Sequence, residues 1–205
     1  IKAHRKKLLE DKNKQLQIVI TSHSSHIVSE CNFDDIIYLK KSENMVIAKS
    51  FNSLKGEYGG DEQKGFKFVK QYLTMNRSEL FFADKAICIE GDTERILMPM
   101  MMHKIDNKEG PEESIIPLLS QNISVIEVGA HSHIFIPLFE FLGIKVLIIT
   151  DIDAANKNDN GRYVKSHPKE AKYTSNASIK DFFKDTCLDE SNNEFEELLE
   201  KIPED

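Results

Sequence analysis

The sequence predicts a doubly wound α/β domain, a mainly parallel central sheet flanked by helices, for the C-terminal two-thirds of the chain. Three observations carry that prediction. From residue 80 onward short apolar runs alternate with stretches of helical period, as βαβ units require. The run Lys145-Val146-Leu147-Ile148-Ile149 is apolar on both faces, as strands of buried parallel sheets are. Two predicted strands end in carboxylates, at Glu90 and at Asp151 with Asp153, and ligands of such sheets bind beyond the carboxyl ends of the strands.

Residues 1–11 read as a basic, partly apolar helix with no start signal before it, so the chain is expected to begin inside a larger domain. A short strand is expected at 17–21, followed by Thr21-Ser22-His23-Ser24-Ser25-His26 and a helix through Ile27 and Val28. Residues 36–39 and 45–48 read as two short strands around the polar turn 40–44. The stretch 53–63, with Gly56, Gly59 and Gly60 among Lys and Glu, reads as a linker, and a helix is expected over 65–75. The units are therefore 1–52, a connecting segment at 53–79, and the α/β domain at 80–205.

Within that domain 86–89 is an apolar strand and 93–104 a helix. A second strand is expected at 124–128, a helix over 134–142 that stops at Gly143, and a third strand at 145–149. Residues 156–172 show no apolar period and read as a polar loop. Short helices are expected at 178–183 and, strongly acidic, at 192–201.

Composition narrows the function classes. The chain has 205 residues, 40% hydrophobic and 30% charged, the balance of a globular protein. Its formal net charge of −7 excludes a generally cationic nucleic-acid coat. A site built from carboxylates and metal remains compatible with it, and any nucleic-acid contact then falls to a local basic surface. Cys31, Cys88 and Cys187 form no Cys-x-x-Cys pair, which fits neither a zinc site nor a disulfide framework and suits a reducing cytoplasm. No signal peptide is read at the start. The longest apolar stretch, 134–150, is broken by Pro137, Glu140, Gly143 and Lys145 and is not a membrane span. A cytoplasmic location is expected.

Two segments carry the chemistry. In Ile87-Cys88-Ile89-Glu90-Gly91-Asp92-Thr93-Glu94 a strand ends in Glu90, Gly91 permits a tight turn, and Asp92 is placed to cap the next helix. In Leu147-Ile148-Ile149-Thr150-Asp151-Ile152-Asp153 a strand ends in Asp-x-Asp. Parallel strands end on one edge, so Glu90, Asp151 and Asp153 are expected to converge there. Clustered carboxylates repel unless a cation neutralises them, and hard oxygen ligands suit Mg2+ or Mn2+. Glu94, one turn beyond Glu90, is placed for a second metal; two ions about 4 Å apart activate water and stabilise a leaving oxygen in phosphodiester cleavage.

Ile-Glu-Gly-Asp-Thr-Glu paired with Thr-Asp-Ile-Asp resembles the glutamate and Asp-x-Asp motifs of the Toprim fold, found in topoisomerases, primases, recombination proteins and nucleases. Phe81-Phe82-Ala83, Arg95-Ile96-Leu97-Met98-Pro99, Val128-Gly129-Ala130 and Thr174-Ser175-Asn176 narrow the resemblance to the OLD (overcoming lysogenization defect) family and the related Gabija A defence nucleases. The resemblance implies a Rossmann-like Toprim nuclease preceded by the C-terminal tail of an ABC-type ATPase, residues 1–52. It implies that His23, after Ile18-Val19-Ile20-Thr21-Ser22, contacts the γ-phosphate of ATP, and that Lys180 stabilises charge at the scissile phosphate. No Gly-x-x-x-x-Gly-Lys-Ser/Thr loop is present, so ATP is expected to act only in a longer chain.

The implied partners are DNA, further copies of the same chain, and a helicase-like or other component of an antiphage system. The alternatives are another Toprim chemistry, strand passage or primer synthesis, and a non-catalytic module that binds DNA or a partner. Tyr163 and Tyr173 have no helix-turn-helix context of the kind strand passage needs. His131 and His133 read as a polar helix entry, and Met98, Met100, Met101 and Met102 as core filling. Lys157, Arg162, Lys165, Lys169 and Lys172 read either as a solvated loop or as a track for a phosphate backbone.

Overall fold

The computed structural model describes residues 17–58, 63–74, 78–108 and 116–183. The helices expected at 1–11 and 192–201 and the acidic C-terminus lie outside them.

At the centre is a three-stranded parallel sheet in the order β4-β3-β5, formed by β3 (Lys85–Ile89), β4 (Ile123–Glu127) and β5 (Lys145–Ile148). Ile87 stands level with Val125 on one side and Leu147 on the other. Side chains alternate between faces. Ala86 and Cys88 point into the larger core with Ile126, Phe135, Leu138 and Leu142. Ile87 and Ile89 point the other way, against Met98 and Met102 of α4 (Asp92–Lys108). Burial pushes the Cys88 thiol up to about 12, so it serves as an apolar filler.

The larger core extends well upstream of the sheet. After α1 (Ser25–Ser29) comes an antiparallel hairpin, β1 (Ile37–Ser42) and β2 (Met45–Ser50), turning through Glu43 at φ 50°. The segment read as a linker opens instead as a helix, α2 (Phe51–Glu57), capped by the Ser50 hydroxyl accepting from the Asn52 N–H. Its glycine spacing hid a simple fact: Phe51 and Leu54 are both fully buried. Phe51 packs edge-on against Phe33 at 4.8 Å and Phe81 at 4.9 Å. α3 (Gln63–Thr74) adds Phe66, Val69 and Leu73 from one face, at helical spacing. One core therefore runs from Phe33 to Leu142 across the boundaries expected at 52 and 79.

α5 (Ile136–Leu142) is shorter than expected, because residues 129–135 form a 3-10 turn with non-helical backbone at Ala130 and His131. It stops at Gly143, in the left-handed region at φ 60°. Lys49 and Lys40 reach from the hairpin to the carbonyls of Phe141 and Gly143, both at 2.6 Å, meeting the negative end of the helix.

Three further expectations are corrected. Residues 17–21 form no strand; Ile18, Val19 and Ile20 are exposed and no described strand offers them a ladder. β5 is an edge strand of the described sheet, so Leu147 is 56% exposed and not buried on both faces. The polar loop contains a second sheet, antiparallel, in the order β7-β6-β8: β6 (Ala154–Lys157), β7 (Tyr163–Lys165) and β8 (Tyr173–Thr174). α6 (Ala177–Phe183) follows it. Among the described residues no helix is long and apolar enough to cross a membrane.

Candidate active site

Both acid-bearing segments leave the sheet at its carboxyl edge. β3 is continued on each side by single bonds, Val128 N–H to the Ile89 carbonyl at 2.9 Å and Ile149 N–H to the Cys88 carbonyl at 2.8 Å. Glu90 thus emerges between the segment after β4 and the segment after β5. The structure brings Glu90 and Asp151 together as the spacing predicted.

Glu90 is fixed by three donors on Oε1: the Thr150 hydroxyl, the Asp151 N–H at 2.9 Å and Asn176 Nδ2 at 3.0 Å. Asn176 is fully buried and organises the whole edge. Its Nδ2 also lies 2.8 Å from Thr150 Oγ1 and 2.9 Å from the Asp151 carbonyl. Its Oδ1 accepts from the N–H groups of Ser178 at 2.9 Å and Ile179 at 3.1 Å, capping α6. α6 is docked in turn on the 129–135 turn, where Ser178 Oγ accepts from Ser132 N–H at 2.7 Å and donates to the Ala130 carbonyl at 2.9 Å. Sequence reasoning placed neither Asn176 nor Thr150 in the site. The available signal was an Asn directly before a helical stretch, a natural cap position, in the Thr-Ser-Asn string that also carries the resemblance.

Asp151 and Asp153 are exposed, and Asp153 sits in the left-handed region at φ 47°, a conformation Asp tolerates. The Asp151 carboxyl is held above the usual carboxylate range, first by the charge of Glu90, then by partial burial and by Glu94 and Asp153, with Lys165 opposing. Asp151 therefore feels the charge of three other carboxylates at this edge. Glu94 also has a local role: its Oε2 accepts from the Gly91 N–H at 3.1 Å, the return arm of a capping box. Asp92 is the first residue of α4 and not its cap; it pairs with Arg95 at 2.8 Å, and Arg95 Nε meets Glu127 at 2.5 Å.

Among the described residues no three His, Cys, Asp or Glu side chains are gathered into a cage for an ion. In charge and donor type the set still fits a hard divalent cation: oxygen ligands only, mutually repelling, on an exposed edge.

Lys180, on α6, is placed with its ammonium 3.7 Å from the centroid of the Tyr163 ring. His23 is exposed in the irregular segment before α1. His131 and His133 lie in the 129–135 turn with their rings 5.8 Å apart.

A family model described as the overcoming lysogenization defect protein-like TOPRIM domain matches residues 81–153, from the approach to β3 through the second aspartate. Over those residues the chain matches an OLD-like Toprim domain. It is also similar to the Endonuclease GajA of Bacillus cereus (strain HuB5-5), 31% identical over 210 residues that cover 93% of this chain. The chain spans about 28% of that relative's length. The parallel sheet flanked by helices is the Toprim architecture expected from the motifs, and Glu90 and Asp151 are the residues its strand ends bring together.

Proposed function

We propose that the Toprim domain is the nuclease module of an ATP-regulated antiphage enzyme and hydrolyses phosphodiester bonds in DNA with Mg2+ or Mn2+. The supporting observation is Glu90, locked by Thr150, Asp151 and Asn176 beside an exposed Asp whose carboxyl senses three other carboxylates. The name of the similar Bacillus cereus protein supports the same reading.

Glu90, Asp151 and Asp153 would hold one ion and Glu94 would contribute to a second. When bound, the ions supply an activated water and offset charge on the leaving oxygen. The chain's own contribution is orientation. Asn176 and Thr150 hold the Glu90 carboxylate at one position, so its orientation is set before substrate arrives. Lys180, on the helix that Asn176 caps, provides the cation for the negative charge that develops on the scissile phosphate. His23 is the candidate nucleotide sensor once the remainder of an ATPase domain is present. Further copies of the chain and a helicase-like component are the proposed partners, in the cytoplasm.

The test is nicking of supercoiled plasmid by the full-length protein in Mg2+ or Mn2+. Cleavage is expected with the wild type and lost in Asp151→Ala. Unchanged nicking by that variant would overturn the assignment of the carboxylates.

A further inference from the structure

The sheet β6–β8 leaves the acidic edge immediately after Asp153 and returns to it at Thr174. Its two ends are tied together at the edge: Thr174 Oγ1 donates to the Ile152 carbonyl, and Ser175 N–H to the Asp153 carbonyl at 2.9 Å. In a chain of net charge −7 this lobe is locally basic. Residues 154–175 hold Lys157, Arg162, Lys165, Lys169 and Lys172 against two carboxylates, Asp159 and Glu170, a net of +3.

The lobe also presents aromatic rings. Tyr163 and Tyr173 stand edge to face, centroids 6.0 Å apart, and Tyr163 is 42% exposed. Lys157 Nζ lies 4.8 Å from the Tyr173 centroid and 5.6 Å from that of Tyr163. Lys180 Nζ lies 3.7 Å over Tyr163. Lysines laid across a tyrosine pair, one ring exposed and one half-buried, beside a phosphoryl-transfer edge combine the two elements that hold single-stranded nucleic acid: cations for the backbone and ring faces for the bases.

We propose that this lobe is a stacking platform for an unpaired base next to the cleaved bond, so that the substrate is DNA with at least one nucleotide out of the duplex stack. In a duplex each base face is covered by its neighbours, and a tyrosine can stack only on a base that has left the column. Stacking on Tyr163 takes the place of the Lys180 ammonium, which then becomes available to the phosphate. Base capture and delivery of the cation are one event. The proposal rests on the nuclease reading of the same edge.

The experiment is fluorescence anisotropy with the full-length protein, using labelled oligothymidylate and a blunt duplex of equal length, with Ca2+ replacing Mg2+. Tyr163→Ala is expected to weaken oligothymidylate binding about 5- to 100-fold while leaving duplex binding within about twofold. Tyr163→Phe, which keeps the ring, is expected to bind as the wild type does. Lys157→Ala is expected to flatten the dependence of log affinity on log salt by about 0.7. Tyr163 is exposed, so its truncation opens no cavity, and matching thermal melts establish that the variant is folded. Oligothymidylate binding by Tyr163→Ala equal to wild type, or equal losses for both probes, overturns the platform. A wild-type protein that shows the Tyr163 pattern yet never cuts DNA overturns the nuclease reading and leaves the platform standing.

Discussion

Replacing Asn176 by Ala removes the helix cap made by Oδ1 and the bonds made by Nδ2, and the sizes of the two largest losses follow from its contacts. The helix cap on Ser178 and Ile179 is lost, typically about 1 kcal/mol. The bond from Nδ2 to the Glu90 carboxylate is lost as well, and a bond to a charged group contributes about 1.5–3 kcal/mol. Asn176 is fully buried, so no water replaces either contact. Together the expected loss is about 3 kcal/mol, measured by urea denaturation of the purified chain. Asn176→Asp separates the two parts. It keeps an acceptor for the cap but turns an oxygen toward Glu90 Oε1, so two carboxyls contend for one proton. A carboxyl whose folded pKa is raised stabilises the fold while protonated, and that stability is lost as pH rises through the carboxylate range. Asn176→Asp should therefore lie near wild type at about pH 4 and fall well below it at about pH 7. An Asn176→Ala variant within about 0.5 kcal/mol of wild type, or an Asn176→Asp deficit that does not vary with pH, would refute the role given to this residue.

Asp151→Asn should abolish nicking and yet stabilise the chain without divalent metal, because the Asp151 carboxyl is raised first by Glu90 and its ionisation works against folding. The gain, screened by solvent at this exposed site, is expected as a rise in Tm of about 1–2 °C at neutral pH that disappears below about pH 4. A Tm unchanged at both pH values would contradict it. Gly143→Ala should cost about 1–2 kcal/mol, since a Cβ is strained at φ 60°. That Cβ would also lie 1.8 Å from Lys40 Nζ, displacing the flexible lysine end from its bond to the Gly143 carbonyl. Denaturation of the variant beside Lys40→Met separates the two effects.

What the sequence revealed was governed by locality. β3, α4 and the stop at Gly143 were legible because apolar runs, helical period and a glycine after a helix are all written within a dozen residues. The convergence of Glu90 and Asp151 was legible because parallel strands must end on one edge. The second sheet was missed: its strands are two to four residues long and mostly polar, and are defined by pairing and not by pattern. The linker reading of 53–63 failed at its start because Phe51 and Leu54 are buried by Phe33 and Phe81, contacts that no local composition reports. Asn176 was missed for the same reason, since its Glu90 partner lies 86 residues away. The roles given to Lys180 and His23 came from resemblance, and the Tyr163 contact of Lys180 adds a geometric fact that resemblance did not supply.

The tie between Ser175 and Asp153 has a consequence for how such a domain diversifies. Everything between residues 154 and 174 departs from and rejoins the acidic edge at two adjacent ties, Thr174 to Ile152 and Ser175 to Asp153, so the lobe behaves as a cassette on a fixed socket. Insertions or exchanges within it alter what is presented to a substrate while the register of β3 and β5 and the orientation of Glu90 stay as they are.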